Sequence, residues 1–505
     1  MTKQSLIHQG IARNAQHLPE KIALQGADIN LTYAELDHAI KRLVESWQPF
    51  TQVEPPTMAL AVENHPAWAI LDLAALECGM PLIPLPFFFS SAQWLHAMRD
   101  AGATLLVTDR PELFTSLLAK VTLHTMLFEL AGKKLTIFSL YAAEKPELPA
   151  GTAKITYTSG TTGTPKGACL SVENMLNVAL SIKDATQLSA NDTHLNVLPL
   201  ATLLENVAGI YAPLLAGATC VLLPGSEVGL NGASGLDVKK LLTTLADTNA
   251  STAIFTPELL HAIVAYLESG LVATPKALRF LAVGGASVSP VLLDRAKKLA
   301  LPVFEGYGLS ECASVVALNK HYVNKIGSVG KVLPHVRIEF TEENEIVVVG
   351  NAFLGYVGQS QQQQDRVHTG DIGFMDEDDF LFITGRKKNI FITSFGRNVS
   401  PEWVERELKI SPHIAQAALY GEAKPWNVAI VVPRSHASDS QIEMAIQSIN
   451  NALPDYARVS RWLVAHEPFT LQNEQLTANG RNRRDIIWQR YQDKINALYE
   501  EGSYV

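Results

Sequence analysis

From Asp237 to Glu305 the sequence alternates helical and strand-like stretches, and this alternation constrains the fold more than any other feature. Asp237–Leu245 has helical spacing and Thr252–Phe255 reads as a short strand. Thr256-Pro257 then opens a helix carrying Leu259, Leu260, Ile263, Val264 and Leu267. Phe280–Val283 reads as the next strand, Gly284-Gly285 as a turn, Ser289-Pro290 as a helix start and Pro302–Glu305 as a closing strand. Strand–helix order of this kind buries its apolar faces by laying helices over largely parallel sheets, so the expected class is α/β. Ligands in such folds collect beyond the carboxyl ends of the strands.

The same alternation is present earlier, and a different pattern follows it. Thr32-Tyr33-Ala34-Glu35 has the form of a capping box, with Leu36, Ile40, Leu43 and Val44 at helical spacing behind it. Thr104–Val107 is strand-like. After about Gly327 the pattern turns to hairpins, with Val336–Phe340 facing Glu345–Val349, and Gln361–Gln364 reads as a solvated loop. The basic cluster Gly385-Arg386-Lys387-Lys388-Asn389 precedes strand-like Ile390–Thr393. Beyond it lie strand-like Ala417–Tyr420 and Val428–Val432 and helical Ser440–Leu453 and Asp485–Tyr499, enough for a small α+β domain. A chain of 505 residues needs roughly three to four folding units. The basic cluster marks a domain boundary, with a large N-terminal domain over 1–385 before it and a small domain over 389–505 after it.

Composition excludes several function classes. Net charge is −9 with 18% charged residues and no block of like charge, which argues against a nucleic-acid-binding surface. Cys78, Cys169, Cys220 and Cys312 are scattered without a CxxC pair, so zinc and disulfide frameworks both fail on spacing, and a reduced, cytosolic protein is expected. Met1–Ser5 leads into no apolar stretch of signal-peptide type. The longest apolar run, near Pro81–Phe89, is interrupted by prolines and too short to span a bilayer.

Between strand-like Ile155-Thr156-Tyr157 and a helix capped by Ser171 lies Thr158-Ser159-Gly160-Thr161-Thr162-Gly163-Thr164-Pro165-Lys166-Gly167. Glycines let backbone N–H groups close on phosphate oxygens, hydroxyls add uncharged donors, and Lys166 supplies a point charge. A Walker A loop would need Gly-x4-Gly-Lys-Ser/Thr; here Gly163 precedes Lys166 by three residues and Gly167 follows it.

This loop resembles the signature of the adenylate-forming superfamily of acyl-CoA synthetases, non-ribosomal peptide synthetase adenylation domains and luciferases. Further motifs follow in that superfamily's order and cover nearly the whole chain. Glu305-Gly306-Tyr307-Gly308-Leu309-Ser310-Glu311 is similar to its adenine-binding segment: the glycines permit close backbone approach, Tyr307 offers a stacking face, and Glu311 offers a hard oxygen ligand. Gly284-Gly285-Ala286 resembles the loop between adenine and the acyl pocket. Thr369-Gly370-Asp371 resembles the segment whose aspartate accepts from both ribose hydroxyls. Gly385-Arg386-Lys387-Lys388 resembles the hinge, with Arg386 toward ribose or phosphate and Lys388 at the hinge position. Gly396 and Pro401-Glu402 match a loop lining the thiol tunnel. The resemblance implies ATP, Mg2+ held by Thr161 and Glu311, and coenzyme A or a carrier-protein phosphopantetheine arm. It also implies a small β-barrel-like part in the large domain, a hinge at 386–388, and a small domain that rotates between adenylation and thioester formation.

Two departures qualify the likeness. The superfamily's closing lysine, which bridges carboxylate and α-phosphate, is replaced in Leu476-Thr477-Ala478-Asn479-Gly480-Arg481-Asn482-Arg483-Arg484 by Arg481, with Arg483 or Arg484 as alternatives. Arginine keeps the charge as a planar fork, so adenylation is expected to survive, with Lys166, Thr161, Glu311 and Arg481 as the catalytic set. The second departure is Leu198–Glu205, where Thr202 stands in place of a histidine or aromatic residue. No aspartate is present in this stretch to pair an amino-acid ammonium. With Ala201, Gly209, Gly285, Ala313, Val315 and Val316, the segment implies an apolar acyl pocket for a fatty or other hydrophobic acid. Asn451–Tyr456 and the closing helix look most like the long-chain acyl-CoA synthetase branch. A carrier-protein loading enzyme, an ATP-binding homologue disabled at Arg481 and a luciferase-type oxygenase are the rival readings, the last favoured by nothing in the sequence.

Overall fold

A computed structural model describes residues 5–51, 55–142, 146–158, 165–231, 235–285, 288–359, 365–434, 437–477 and 480–500. The alternating segment forms the centre of a nine-stranded sheet. Ile22–Gln25, Thr219–Val221, Thr193–Leu195, Thr252–Phe255, Phe280–Val283 and Val303–Leu309 lie side by side in that order and run parallel, with antiparallel strands at both margins. Helices Val238–Asp247, Pro257–Glu268 and Pro290–Lys298 cover one face. There Leu241, Leu260, Ile263 and Leu292 pack on Leu195, Ala253, Phe255 and Leu281. On the opposite face Ile254, Phe280 and Phe304 join a core with Met175, Val178, Val207 and Ile210.

A second, eight-stranded sheet has a parallel centre of Leu105–Thr108, Met58–Ala61, Leu82–Pro84 and Lys154–Thr158. Between the two sheets runs helix Pro66–Cys78, buried from Pro66 to Leu76, and residues of both sheets meet in the core around it. Its sequence, apolar on every side, has no face to give to solvent. Its fully buried acid, Asp72, pairs with Lys154 Nζ at 2.8 Å; both side chains are 0% exposed.

The β-barrel-like part expected from the sequence takes the form of a four-stranded antiparallel sheet, Arg337–Phe340, Glu345–Val349, Arg366–Met375 and Leu381–Arg386. The C-terminal part is α+β. Ile414–Tyr420, Asn427–Pro433 and Val459–Val464 form a sheet, with Pro401–Leu408 and Asp439–Asn450 packed on one side and Arg484–Glu500 on the other.

Capping sets the helix starts where the sequence places them. The Glu35 N–H donates to Thr32 Oγ1 (3.2 Å) and the Thr32 N–H to Glu35 Oε2 (2.8 Å), opening helix Tyr33–Thr51. Ser171 and Asn174 cap Val172–Thr186 in the same reciprocal way. The strand expected to close at Glu305 continues to Leu309, because Gly306–Leu309 pairs antiparallel with Ser314–Leu318. Gln361–Gln364 lies outside the described residues. No helix among the described residues is long and apolar enough to cross a membrane.

Candidate active site

The strand ends of the nine-stranded sheet and the four-stranded sheet meet at Tyr307. Its hydroxyl donates to Asp371 Oδ2 at 2.6 Å, while Arg386 Nε lies 2.8 Å from Asp371 Oδ1. Asp371 and Arg386 are cross-strand neighbours in register, and Thr369 Oγ1 accepts from the Asp371 N–H. Burial, reinforced by Asp371, raises the Tyr307 pKa well above the phenol range and keeps the hydroxyl a neutral donor. Gly308 is required sterically: a β-carbon there would lie 1.8 Å from the Ser314 carbonyl oxygen. Glu305 is 7% exposed, and burial pushes its pKa up to about 7 against the opposing pull of Arg406 and the Val288 and Gly327 N–H groups.

Leu309 and Ser310 lead from this strand into a short turn that presents Glu311. Glu311 Oε1 accepts from the Tyr356 hydroxyl at 2.8 Å, and the Lys166 ammonium sits 5.2 Å from the centre of the Tyr356 ring. Lys166 thus faces Glu311 across an aromatic side chain that sequence reasoning missed. Only the pairing of Gly355-Tyr356 with Ala168 and Cys169 brings Tyr356 there. Thr158 ends the strand before the loop; Ser159, Gly160, Thr161, Thr162, Gly163 and Thr164 lie outside the described residues. Among the described residues no group of three or more His, Cys, Asp or Glu side chains could hold a metal. Of the two residues expected to hold magnesium, Thr161 lies outside the described residues and Glu311 offers carboxylate oxygen, a donor that fits this ion beside phosphate and water oxygens.

Arg481 enters from the C-terminal domain. Its Nη2 donates to the Gly285 carbonyl at 2.9 Å, and Arg386, Asp371, Glu402 and Tyr307 surround a guanidinium that solvent still reaches. Gly285 adopts φ +89°, a left-handed conformation natural to glycine. Gly284 packs close to the Gly306 carbonyl and Leu204; Ala286 lies outside the described residues. Arg484 is not available as a substitute for Arg481. It grips both oxygens of buried Glu405 at 2.7 Å and donates to the Leu419 carbonyl. Lys388 is exposed in the turn after Arg386 and faces Arg386, Asp485, Glu402 and Arg481. Gly396 occupies a left-handed turn of the small domain, and no described hydrogen bond joins it to the Gly284-Gly285 turn.

The expected acyl segment lies directly beneath. Thr202 Oγ1 donates to the Pro199 carbonyl (2.7 Å), one α-turn covers Leu203–Asn206, and a π-turn covers Val207–Tyr211 with Gly209 at its middle. Leu200, Ala201, Leu203, Ala208, Ala313, Val315 and Val316 are buried. His194, Asn196 and Glu205, buried polar side chains on the inner side of Gly209, were not singled out from the sequence.

Residues 11–357 match the AMP-binding enzyme family, and residues 388–503 match the AMP-binding enzyme C-terminal domain. The chain is 25% identical to the long-chain-fatty-acid–CoA ligase FadD15 of Mycobacterium bovis, over 86% of each chain. It is 30% identical to a feruloyl-CoA synthase of Amycolatopsis sp, over 83% of this chain and 87% of that one. Its fold superposes on the anthranilate CoA ligase AuaEII in complex with anthranoyl-AMP with a TM-score of 0.80, at 18% identity, covering 97% and 98% of the two chains. The family matches span both domains and include the loop and the Tyr307 strand, and the chain belongs to the family of AMP-binding, adenylate-forming enzymes.

Proposed function

We propose that this enzyme joins a hydrophobic carboxylic acid, fatty or aryl, to a thiol by way of an acyl-adenylate. The contact of Arg481 with Gly285 carries the reading: it brings the small domain's arginine over the same cleft that holds Tyr307, Asp371 and Arg386. In the first step a carboxylate oxygen bonds to the α-phosphorus of ATP, and the bond to pyrophosphate breaks. Phosphoryl transfer of this kind is mostly positioning and charge neutralisation. Asp371 takes the ribose hydroxyls, exchanging its present bonds to Tyr307 and Arg386 for them. Tyr307, Gly306 and Gly308 lie along the adenine, and Lys166 with the 158–167 loop holds the outer phosphates. Magnesium bound at Glu311 would neutralise charge on the phosphates. Arg481 reaches the α-phosphate and the acid's carboxylate.

In the second step a thiolate attacks the acyl carbonyl, and AMP leaves with the C–O bond pair. The small domain turns about Lys388 between the two steps and brings Gly396 to the thiol's path. Relatives named for fatty, ferulic and succinylbenzoic acids support a carboxylic acid with an aliphatic or aryl body. The buried Leu, Ala and Val side chains around Thr202–Gly209 support the same class. Coenzyme A is the acceptor favoured by those relatives, in a cytosolic setting that suits four free thiols. The test is acid-dependent thioester formation with free coenzyme A beside a holo carrier protein. Product with coenzyme A is expected. Product with the carrier protein alone would move the enzyme to the carrier-loading class, and no thioester with either would remove the second step.

A further inference from the structure

His194, Asn196 and Glu205 are 3%, 0% and 0% exposed, yet His194 Nε2 and Asn196 Oδ1 have no hydrogen-bond partner among the described residues, and the Glu205 carboxyl has at most the Val197 N–H within reach. Buried polar groups in folded proteins are nearly always paired, so this many unsatisfied atoms at one place need a cause. They converge. A β-carbon built on Gly209 would lie 2.6 Å from Asn196 Oδ1, 2.9 Å from His194 Nε2 and 3.2 Å from Glu205 Oε1, and His194 Nε2 lies 3.6 Å from Glu205 Oε1. The outer atoms are meanwhile tied to the scaffold. His194 Nδ1 is 2.8 Å from Thr252 Oγ1, and Asn196 Nδ2 donates to the Gly209 carbonyl at 3.2 Å and more weakly to that of Val221. The inward-facing atoms are therefore held in place rather than left over by chance rotation.

Burial holds the His194 pKa down to about 4 and raises that of Glu205 well above the carboxylate range, with the Val197 N–H opposing. Burial thus disfavours the charged form of both groups, and their neutral forms offer an O–H to donate and nitrogen and oxygen atoms to accept. A hydroxyl, donor and acceptor at once, suits such a set, and a carbonyl oxygen can accept from its O–H.

Its position links it to the acyl segment. Glu205 follows Leu204, which packs beside Gly284, and Gly209 sits in the π-turn, a helix irregularity common at functional sites. Across the sheet, His194 pairs with Thr252 and Thr252 with Phe280, so the cluster is two strands, about 10 Å, from Phe280, at the start of the strand whose other end, Val283, precedes Gly284. Ala282, partly exposed on the same face, lies between.

We infer that His194, Asn196 and Glu205 form a polar socket at the inner end of the acyl pocket, selecting acids whose apolar body ends in a hydroxyl or carbonyl group. The inference rests on the proposed acid-activating function and narrows its substrate class. The test measures kcat/KM for acid-dependent pyrophosphate release with matched pairs: cinnamic against para-hydroxycinnamic acid, and straight-chain fatty acids against their ω-hydroxy counterparts. The wild-type enzyme is expected to favour the hydroxylated member of at least one pair by at least about tenfold, since a site built to bond a hydroxyl penalises its absence. Glu205→Leu and Asn196→Leu abolish or reverse that preference, while Glu205→Gln retains most of it. Should the leucine variants fail to fold, His194→Gln carries the same comparison. No preference in the wild type, or an unchanged preference in the variants, would overturn the socket while leaving the acid-activating function standing. No turnover with any acid would overturn both.

Discussion

Glu305 is held in the folded chain with a proton it would lose in the unfolded one. Its pKa rises from the ordinary 4.5 to about 7 through burial, so between those pH values the folded state binds more protons than the unfolded state. Stability therefore falls as pH rises through that window, by up to about 3 kcal/mol. Glu305→Gln is expected to flatten the pH dependence of denaturant unfolding between about pH 4.5 and 7 and to stabilise the protein at pH 8. An unaltered profile would place the titration elsewhere. At this scale the sequence is readable where residues sit in motifs that resemble those of the superfamily, and the structure adds the contacts between them. Tyr307 and Gly308 sit on a strand whose glycine is needed against Ser314, and Asp371 and Arg386 face each other in register. Tyr356 is not readable, because it meets Glu311 from 45 residues away through a two-residue strand. Nor are His194 and Asn196, whose polar atoms acquire meaning only when the turn at Gly209 is laid across them.

Among the elements, helix Pro66–Cys78 and strand Lys154–Thr158 are joined by a dry polar knot. Lys154 Nζ lies 2.8 Å from Asp72 and donates to the Tyr211 hydroxyl at 2.8 Å and to Asn206. Asp72 in turn accepts from Tyr211 (2.6 Å) and Asn206 (2.9 Å). Removing one partner leaves a buried charge uncompensated, so Lys154→Met is expected to cost about 3–5 kcal/mol in chemical denaturation. The double change Lys154→Met with Asp72→Leu is expected to recover most of that loss, and equal losses in single and double variants would contradict the pairing. Element positions were largely legible: Thr252–Phe255 and Phe280–Val283 occupy the expected residues, and the helix starts at Thr32 and Ser171 follow from caps that act locally. The extension of Val303–Leu309 and the π-turn at Val207–Tyr211 were not, since each depends on a distant neighbour rather than on its own periodicity.

For the whole molecule, the decisive relation is between the two domains. Lys388 stands in the turn between Arg386 and strand Phe391–Ile392, and Arg481 reaches across to Gly285. Proline at position 388 fixes one backbone torsion of the proposed hinge. Lys388→Pro is expected to keep pyrophosphate exchange within about threefold of wild type and to lower thioester formation by more than about tenfold. Parallel loss of both activities would argue against a hinge there. The order of a large domain followed by a small α+β one was legible in the sequence, which also offered Arg481 as the residue in the closing lysine's place. The commitment of Arg484 to Glu405 was not, because it depends on a helix start and a buried acid 79 residues apart. The most direct measurement is acid-dependent ATP–pyrophosphate exchange across fatty and aryl acids, with Arg481→Ala and Arg481→Lys alongside wild type. Exchange by the wild type, retained or raised in Arg481→Lys and reduced by roughly a hundred- to a thousandfold in Arg481→Ala, is the expected result. No exchange with any acid despite measurable ATP binding, or equal exchange by all three proteins, would contradict the account.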